Sequence, residues 1–165
     1  MRYNQIKEYD TANGEGVRVT LWTQGCSVRC KNCFNKETWD FACGQEFTEE
    51  TIQYIKKLLK DDKFVKRGFS ILGGEPLELV NIPMLTKLLK EIKQDIPDVN
   101  IWMWTSKQFE SVRELELIQF IDVLVDGKYE EDKYNPMLRF RGSSNQRVID
   151  IKQSLEKGEI VLYLK

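Results

Sequence analysis

The chain has 165 residues, of which 41% are hydrophobic and 31% charged, so it is long enough for one domain with its own core. Its 25 basic and 26 acidic side chains nearly cancel to a formal net charge of -1, which does not suit a nucleic-acid-binding protein. It contains no histidine, which excludes serine hydrolases and cysteine-histidine proteases and leaves an all-cysteine site as the only choice for a structural zinc.

No apolar stretch is long enough to span a bilayer, and the first residues lack the apolar segment of a signal peptide. We therefore expect a cytoplasmic protein with no membrane or nucleic-acid partner. In a reducing compartment, clustered cysteines more often bind metal or act in catalysis than form disulfides. No repeat, linker or low-complexity tract divides the chain, so residues 1–165 are predicted to form a single domain.

The first third of the chain predicts two strands that lead to a group of cysteines. Residues 3–9 fit a short edge strand, and Asn13-Gly-Glu-Gly16 predicts a turn with two glycines that can take positive φ. Residues 17–22 are rich in β-formers and run directly toward Cys26. The cysteine loop should therefore lie at the carboxyl end of a strand, where α/β folds place their active sites.

The middle of the chain predicts two amphipathic helices around a short strand. The first helix begins after Thr48 as its N-cap and continues to about Lys60. Residues 69–72 form the strand, and a second helix has Pro83 in its first turn and ends near Asp95. The predicted buried faces consist of Ile52, Ile55 and Leu59 in the first helix and Leu85, Leu88, Leu89 and Ile92 in the second.

The last third continues the alternation and then becomes irregular. A strand over residues 100–105, a helix over 108–120 and a strand over 121–125 are predicted in that order. The chain is polar and irregular from Lys128, and it ends in strand-like segments at 148–151 and 159–164. This order predicts parallel strands joined by right-handed crossovers. About four such strands are too few for a complete barrel, so we expect an α/β fold with an open partial (β/α) barrel and a mostly parallel sheet.

Three of the four cysteines lie within eight residues, with three and then two residues between them. Cys26, Cys30 and Cys33 can bring three thiolates to one inorganic centre, and soft sulfur ligands select iron-sulfur clusters or zinc. Cys43 could complete a four-thiolate zinc site. If Cys43 stays outside, three thiolates could hold a 4Fe-4S cluster with one iron open to a small chelating molecule. Spacing alone leaves both possibilities open.

Two further segments end predicted strands at the same sheet edge. Gly73-Gly-Glu-Pro76 lacks two Cβ atoms, so a ligand could approach its backbone, although such a pair is also common in ordinary turns. Asp126-Gly-Lys128 offers a carboxylate and an ammonium, or simply a surface charge pair at a turn.

These motifs together resemble a known superfamily. Cys-x3-Cys-x2-Cys followed by Gly-Gly-Glu-Pro resembles the radical S-adenosylmethionine superfamily. The fuller pattern, with Gly14-x-Gly16-x-Arg18 before the cysteines and Phe34-Asn35 after them, resembles the activating enzymes of glycyl radical enzymes. Within that group the short length and segments 101–105, 122–128 and 141–146 are similar to the activases of anaerobic (class III) ribonucleoside-triphosphate reductase. The similarity covers nearly the whole chain.

The resemblance implies a shortened radical S-adenosylmethionine core and a set of site residues. Cys26, Cys30 and Cys33 would bind the 4Fe-4S cluster. The residues implied to contact S-adenosylmethionine are Asn32, Cys33, Phe34, Gly73, Gly74, Glu75, Asp126 and Lys128. Many members have an aromatic residue just before the third cysteine, where this chain has Asn32, so Phe34 is the candidate for that role.

The resemblance also implies a function. The reduced cluster would cleave S-adenosylmethionine to methionine and a 5'-deoxyadenosyl radical, and this radical would abstract hydrogen from a glycine of the reductase. An external electron donor, whose identity the sequence does not give, would be needed. Two alternatives remain: an activase of another glycyl radical enzyme, and an interaction module stabilised by zinc on all four cysteines.

Overall fold

A computed structural model of the chain describes residues 1–60 and 66–164, and within them eight strands form one mixed sheet. The strands are β1 Arg2–Asp10, β2 Arg18–Gln24, β3 Gln45–Glu46, β4 Gly68–Gly73, β5 Ile101–Trp104, β6 Val123–Asp126, β7 Arg147–Asp150 and β8 Leu162–Leu164. The α-helices are α1 Glu49–Lys60, α2 Ile82–Asp95, α3 Phe109–Val112 and α4 Ile151–Lys157. The strand order across the sheet is β3-β1-β2-β4-β5-β6-β7-β8.

The centre of the sheet is parallel, as the alternation of strands and helices predicts. Strands β2, β4, β5 and β6 pair in parallel, with Thr20 opposite Ser70 and Met103 opposite Leu124. Because parallel strands end at the same edge, the segments that follow β2, β4, β5 and β6 meet there. This arrangement confirms an α/β fold in which the cysteine loop lies at the carboxyl end of β2.

The flanks of the sheet are antiparallel, so the prediction of a mostly parallel sheet is wrong. Strand β1 pairs antiparallel with both β2 and β3, and β7 does the same with β6 and β8. The short 11–17 turn explains the first reversal, because Gly14 and Gly16 have φ of 112° and 75° and a crossover needs far more residues. The predicted edge strand over 3–9 is part of β1, and because β3 pairs only with Arg2 and Tyr3, most of this strand lies at the edge of the sheet.

Helices α1 and α2 match their predicted positions. Helix α1 begins at Glu49, directly after Thr48, whose N-H donates to the Thr51 hydroxyl at 3.1 Å. Helix α2 has Pro83 in its first turn. The seven apolar residues predicted to be buried, Ile52, Ile55, Leu59, Leu85, Leu88, Leu89 and Ile92, are all in the core.

The predicted helix over 108–120 is broken in the structure, so this prediction is wrong. Only α3 is α-helical, and residues 116–120 form a separate 3-10 turn after Leu115, whose ψ of 131° is extended. A continuous α-helix would place Glu116 on the same face as Phe109 and Val112. The break instead lets Leu117 and Ile118 face the core, where both are fully buried.

The sequence-based prediction missed helix α4 between the two last strands. The Asp150 carboxylate accepts a hydrogen bond from the Gln153 N-H at 2.9 Å and caps the helix, and Gly158 with φ of 70° ends it. These two residues were the available signal. The strand-like segments predicted over 148–151 and 159–164 overlap the observed strands β7 and β8.

The two faces of the sheet differ because side chains alternate along each strand. On one face Ile101 and Met103 join the large core beneath the helices. On the other, Trp102 forms a smaller apolar cluster with β6 and β7 residues, and its ring contacts Trp104 and Phe140. None of the helices in the described part of the chain is long and apolar enough to cross a membrane.

Candidate functional site

A cavity of about 160 Å³ lies at the carboxyl ends of the parallel strands. Most of its lining comes from four segments, which include Cys26, Cys30, Cys33 and Phe34; Gly73, Gly74 and Glu75; Trp104, Thr105 and Ser106; and Gly127 and Tyr129. The structure therefore brings the three predicted cluster cysteines and the Gly-Gly-Glu segment to one cavity. They are separated by about forty residues in the sequence.

The cysteine loop owes its shape to two residues with left-handed backbone conformations. Arg29 has φ of 47° and Asn32 has φ of 54°. Asparagine takes this conformation readily, whereas for arginine it is uncommon. Each of the two residues directly precedes a cysteine, and the Cys33 N-H donates to the Cys30 carbonyl at 3.2 Å. The chain therefore turns sharply before both the second and the third cysteine.

Hydrogen bonds tie the cysteine loop to the sheet. The Cys26 N-H donates to the Trp39 carbonyl at 3.2 Å. The buried Asn35 side chain donates to the Gly73 carbonyl at 3.1 Å, while its own N-H donates to the Cys33 sulfur at 3.4 Å. The ends of the loop are thus fixed relative to β4.

Gly73 and Gly74 allow the two loops to approach closely. The Gly74 N-H donates to the Thr23 carbonyl and the Glu75 N-H to the Gly25 carbonyl, both at 3.0 Å. A Cβ on Gly74 would lie 2.4 Å from the Gly25 carbonyl oxygen, and Gly73 has φ of 120°. A side chain at either position would force the loops apart or strain the backbone.

The Glu75 carboxylate is 2% exposed and is held by the end of β5. One oxygen accepts from the Thr105 hydroxyl at 2.6 Å and the Leu77 N-H at 2.9 Å. The other accepts from the Ser106 N-H at 2.8 Å and the Ser106 hydroxyl at 2.5 Å. The sequence-based prediction did not include Thr105 and Ser106 among the site residues, although their position at the carboxyl end of a predicted strand was a signal that they share this edge.

Glu78 is a second carboxylate that the sequence-based prediction missed. It accepts hydrogen bonds from the Ser27 N-H at 2.7 Å and the Ser27 hydroxyl at 2.6 Å. This contact joins the residue after Cys26 to the loop that follows β4. Nothing in the sequence indicates the pairing, because the two residues are 51 positions apart.

The environment raises the pKa of two of the three thiols. Burial is the main cause for Cys26, and the charges of Glu75 and Glu78 add to it. Burial is also the main cause for Cys30, where the Lys128 ammonium acts in the opposite direction and favours the thiolate. The raised pKa of Cys26 and Cys30 favours their neutral thiols when no metal is bound, so metal binding has to release their protons.

The structure places Asp126 and Lys128 differently from the other predicted site residues. Asp126 is 1% exposed and does not line the cavity. Its carboxylate accepts from the Phe109 N-H at 2.7 Å and from Arg147 at 2.9 and 2.5 Å. Arg147 also binds Glu110, and this contact lowers the pKa of Glu110 to about 2. Lys128 is exposed, near enough to Cys30 to affect its pKa.

A second cavity of about 630 Å³ adjoins the first, and Phe34, Trp104 and Gln146 line both. Asn32 lines only the second cavity. The segment 141–146 forms part of its wall because the Gln146 side chain donates to the Gly127 carbonyl at 3.0 Å and so holds the segment against the end of β6.

The residues around the first cavity fit a 4Fe-4S cluster. Three thiols form an all-sulfur donor set, which suits iron-sulfur clusters. Trp22 supplies a buried indole N-H with no hydrogen-bond partner among the described residues, so a ligand acceptor could use it. Cys43 is exposed, does not line the cavity and donates to Asp40 at 3.4 Å. Among the described residues no group of three or more His, Cys, Asp or Glu side chains is arranged to bind one metal ion.

The sequence matches a known family over most of its length. The family described as a 4Fe-4S single cluster domain matches residues 12–149, which include all the predicted site residues. This match agrees with an all-cysteine iron-sulfur site on the first cavity.

Several curated proteins are similar to the chain over nearly all of their own length. Proteins named anaerobic ribonucleoside-triphosphate reductase-activating protein are 37% identical in Pasteurella multocida, over 93% of this chain and 99% of the relative, and 39% identical in Escherichia coli K12, over 90% and 97%. The protein of that name in enterobacteria phage T4 is 37% identical over 90% of this chain and 93% of its own.

Proposed function

Because the chain belongs to the family of anaerobic ribonucleoside-triphosphate reductase-activating proteins, we propose that it is an oxidoreductase that activates this reductase by forming a glycyl radical on it. The observation that carries the proposal is the meeting of Cys26, Cys30 and Cys33 with the Gly73-Gly-Glu75 segment on one cavity. The reductase is the protein substrate, and an external donor supplies the electron.

A 4Fe-4S cluster with bound S-adenosylmethionine would supply reductive cleavage to methionine and a 5'-deoxyadenosyl radical, which takes hydrogen from a glycine of the reductase. The chain's own residues bind and orient these groups. Cys26, Cys30 and Cys33 hold the cluster. The backbone of Gly73 and Gly74 would face the methionyl part of the cofactor, and Glu75, whose carboxylate is held by Thr105 and Ser106, would support this segment.

The remaining predicted cofactor contacts differ in support. Phe34 lines both cavities and Asn32 lines the second, which supports the proposal that both contact the adenosyl part. Lys128 lies close to Cys30 and could pair with the cofactor carboxylate. Asp126 has its oxygens occupied by Phe109 and Arg147, so we propose for it a role in fixing the end of β6.

We also propose that residues 1–165 form one domain with a shortened radical S-adenosylmethionine core. The four parallel strands β2, β4, β5 and β6 would be the partial barrel, because all of them end at the cavity. The antiparallel strands extend the sheet on both sides. The face that carries Trp102 would be the inside of the barrel.

Anaerobic reconstitution with iron and sulfide tests the proposed function. The reconstituted and reduced protein should release methionine and 5'-deoxyadenosine from S-adenosylmethionine. With purified reductase it should also produce a glycyl radical signal in electron paramagnetic resonance. A zinc-loaded, redox-inert protein would overturn the proposal, and cleavage without a radical on the reductase would instead indicate another glycyl radical enzyme as the substrate.

Replacement of single cysteines separates the cluster from the zinc alternative. We expect Cys43→Ala to keep the full iron content and cleavage activity, because Cys43 is exposed and lies away from the cavity lining. Cys30→Ala should lose both. Iron analysis and product quantification measure the two effects. Loss of metal in the Cys43 variant would support a four-cysteine site.

A further inference from the structure

The structure leaves three large apolar side chains almost fully in solvent. Among the described residues Phe34, Leu79 and Met137 are 85%, 84% and 86% exposed, and the next large apolar side chain, Tyr9, is 64% exposed. Single exposed apolar residues are common on protein surfaces, whereas several around one opening indicate a binding surface. The location of these three residues therefore matters.

All three lie on loops that border the cavities. Phe34 follows Cys33 and lines both cavities. Leu79 belongs to the loop after β4, which Glu78 fastens to the cysteine loop through Ser27. Met137 precedes Leu138, which lines the second cavity. The three side chains thus come from three separate segments at the carboxyl edge of the sheet.

Exposed cations accompany the apolar side chains. Arg29, Lys31, Lys36 and Lys128 are exposed, and within residues 1–60 and 66–164 no carboxylate lies at ion-pair distance from any of them. By contrast, ion pairs join α1 to α2 away from this edge, for example Lys56 with Glu91. Unpaired cations favour a partner surface with carboxylates.

The proposed function determines what has to cover these loops. Transfer of a hydrogen atom requires the reacting groups to approach to about 3–3.5 Å, so the glycine of the reductase must enter a cavity whose mouth these loops border. The protein that carries the glycine must then lie against Phe34, Leu79 and Met137. This step rests on the proposed function.

We propose that Phe34, Leu79 and Met137, together with Arg29 and Lys31, form the surface that binds the reductase. The matching segment of the reductase carries apolar side chains and carboxylates beside the reacting glycine. Burial of the three apolar side chains supplies affinity, because large apolar side chains at the centre of an interface contribute most to binding. The cations set the orientation and speed the encounter.

Leu79→Asn, Met137→Asn and the double variant test the surface, with Leu155→Asn as the matched control. Leu79 and Met137 do not line either cavity, and Leu155 is a 43% exposed leucine on α4. Asparagine is uncharged and so leaves the electrostatic field at the cysteines unchanged. The measurements are anaerobic binding to purified reductase, glycyl radical yield, and S-adenosylmethionine cleavage by the reduced protein alone.

We expect the double variant to bind the reductase about tenfold or more weakly, since each factor of ten corresponds to about 1.4 kcal/mol. Its radical yield should fall in parallel, while cleavage without the reductase stays at the parent level. The Leu155 variant should match the parent in all three measurements. Higher ionic strength should slow association of the parent with the reductase.

The proposed binding surface would be overturned if the double variant bound the reductase as tightly as the parent. It would also be overturned if the Leu155 variant lost as much affinity as the double variant. Failure of the proposed function has a different signature, because the parent protein itself would then not cleave S-adenosylmethionine. The binding comparison decides the surface in either case.

Discussion

At the scale of single residues, only glycine fits at position 74, because two loops approach each other closely there. A Cβ there would meet the Gly25 carbonyl oxygen at 2.4 Å, and that carbonyl also accepts the Glu75 N-H. We expect Gly74→Ala to lower the free energy of unfolding by about 1–3 kcal/mol, as overpacking does elsewhere. The iron content after reconstitution should fall as well, because the cysteine loop is displaced.

Gly158→Ala is the control for backbone strain. Gly158 has φ of 70°, but a Cβ there meets nothing within 4 Å and the residue is far from the cysteines in the fold. This variant should lose about 1–2 kcal/mol of stability, because alanine is strained in the left-handed conformation, and it should keep its full iron content. Equal iron loss in both variants, measured by iron analysis, would contradict the role given to Gly74.

Glu75 is a second position at which the surrounding groups favour one side chain, here a carboxylate. Its two carboxylate oxygens accept four hydrogen bonds, and each oxygen accepts one from a backbone N-H and one from a hydroxyl group. Glu75→Gln would turn an amide N-H toward one of these donors and leave a buried group unsatisfied, which costs about 1–3 kcal/mol. Denaturant unfolding measures the loss. Unchanged stability would mean that the carboxylate is not held as described.

At the scale of elements, Arg147 joins β7 to the ends of β6 and α3 through Asp126 and Glu110. The pKa of Glu110 is lowered from 4.5 to about 2, mainly by the hydrogen bond from Arg147. A carboxyl with a lowered pKa stabilises the fold above its ordinary pKa, and this stabilisation is lost as the pH falls through the folded value.

We therefore expect wild type to be more stable than Glu110→Gln near neutral pH. The difference should be at most about 1 kcal/mol, because Glu110 is half exposed and solvent screens the pair. It should shrink as the pH falls from 4.5 toward about 2. Urea unfolding of both proteins across this range measures it, and a difference that does not vary with pH would show that the pair is not formed.

The elements also show which features the sequence could predict. Helices α1 and α2 have long apolar periodicity, so tertiary contacts agree with the local pattern. The 108–120 segment has a similar apolar pattern. The break in its helix depends on tertiary packing, which buries Leu117 and Ile118 in the core. Helix α4 is only seven residues long and has two apolar residues, Ile151 and Leu155, so it is too short to show a clear helical periodicity.

The candidate site also has parts that the sequence could predict and parts that it could not. The three cysteines form one compact motif and Gly73-Gly-Glu75 forms another, and each could be recognised locally in the sequence. The contacts of Glu75 with Ser106 and of Glu78 with Ser27 join residues 31 and 51 positions apart. No local pattern encodes such pairs, because they depend on the order of the strands in the sheet.

At the scale of the whole molecule, the main core does not include the cysteines. It is built from α1, α2 and one face of the sheet, whereas Cys30 and Cys33 lie partly exposed beyond the strand ends. We expect the iron-free protein to keep its secondary structure and cooperative unfolding. Hydrogen exchange should increase at residues 26–39 after iron removal and stay unchanged at β4. Global loss of protection would show that the cluster holds the fold together.

The two outermost strands have a consequence for self-association. Strand β8 at one end has three residues, whereas at the other end β3 pairs only with Arg2 and Tyr3 and leaves the rest of β1 as a longer edge. That edge has irregular register against β2 and carries the exposed charges of Lys7 and Glu8, both of which oppose pairing with another strand. A sheet that does not close on itself usually risks edge-to-edge aggregation, and these features reduce that risk. The molecule can thus keep the mouth of its cavities open to a partner without exposing a template for amyloid-like growth.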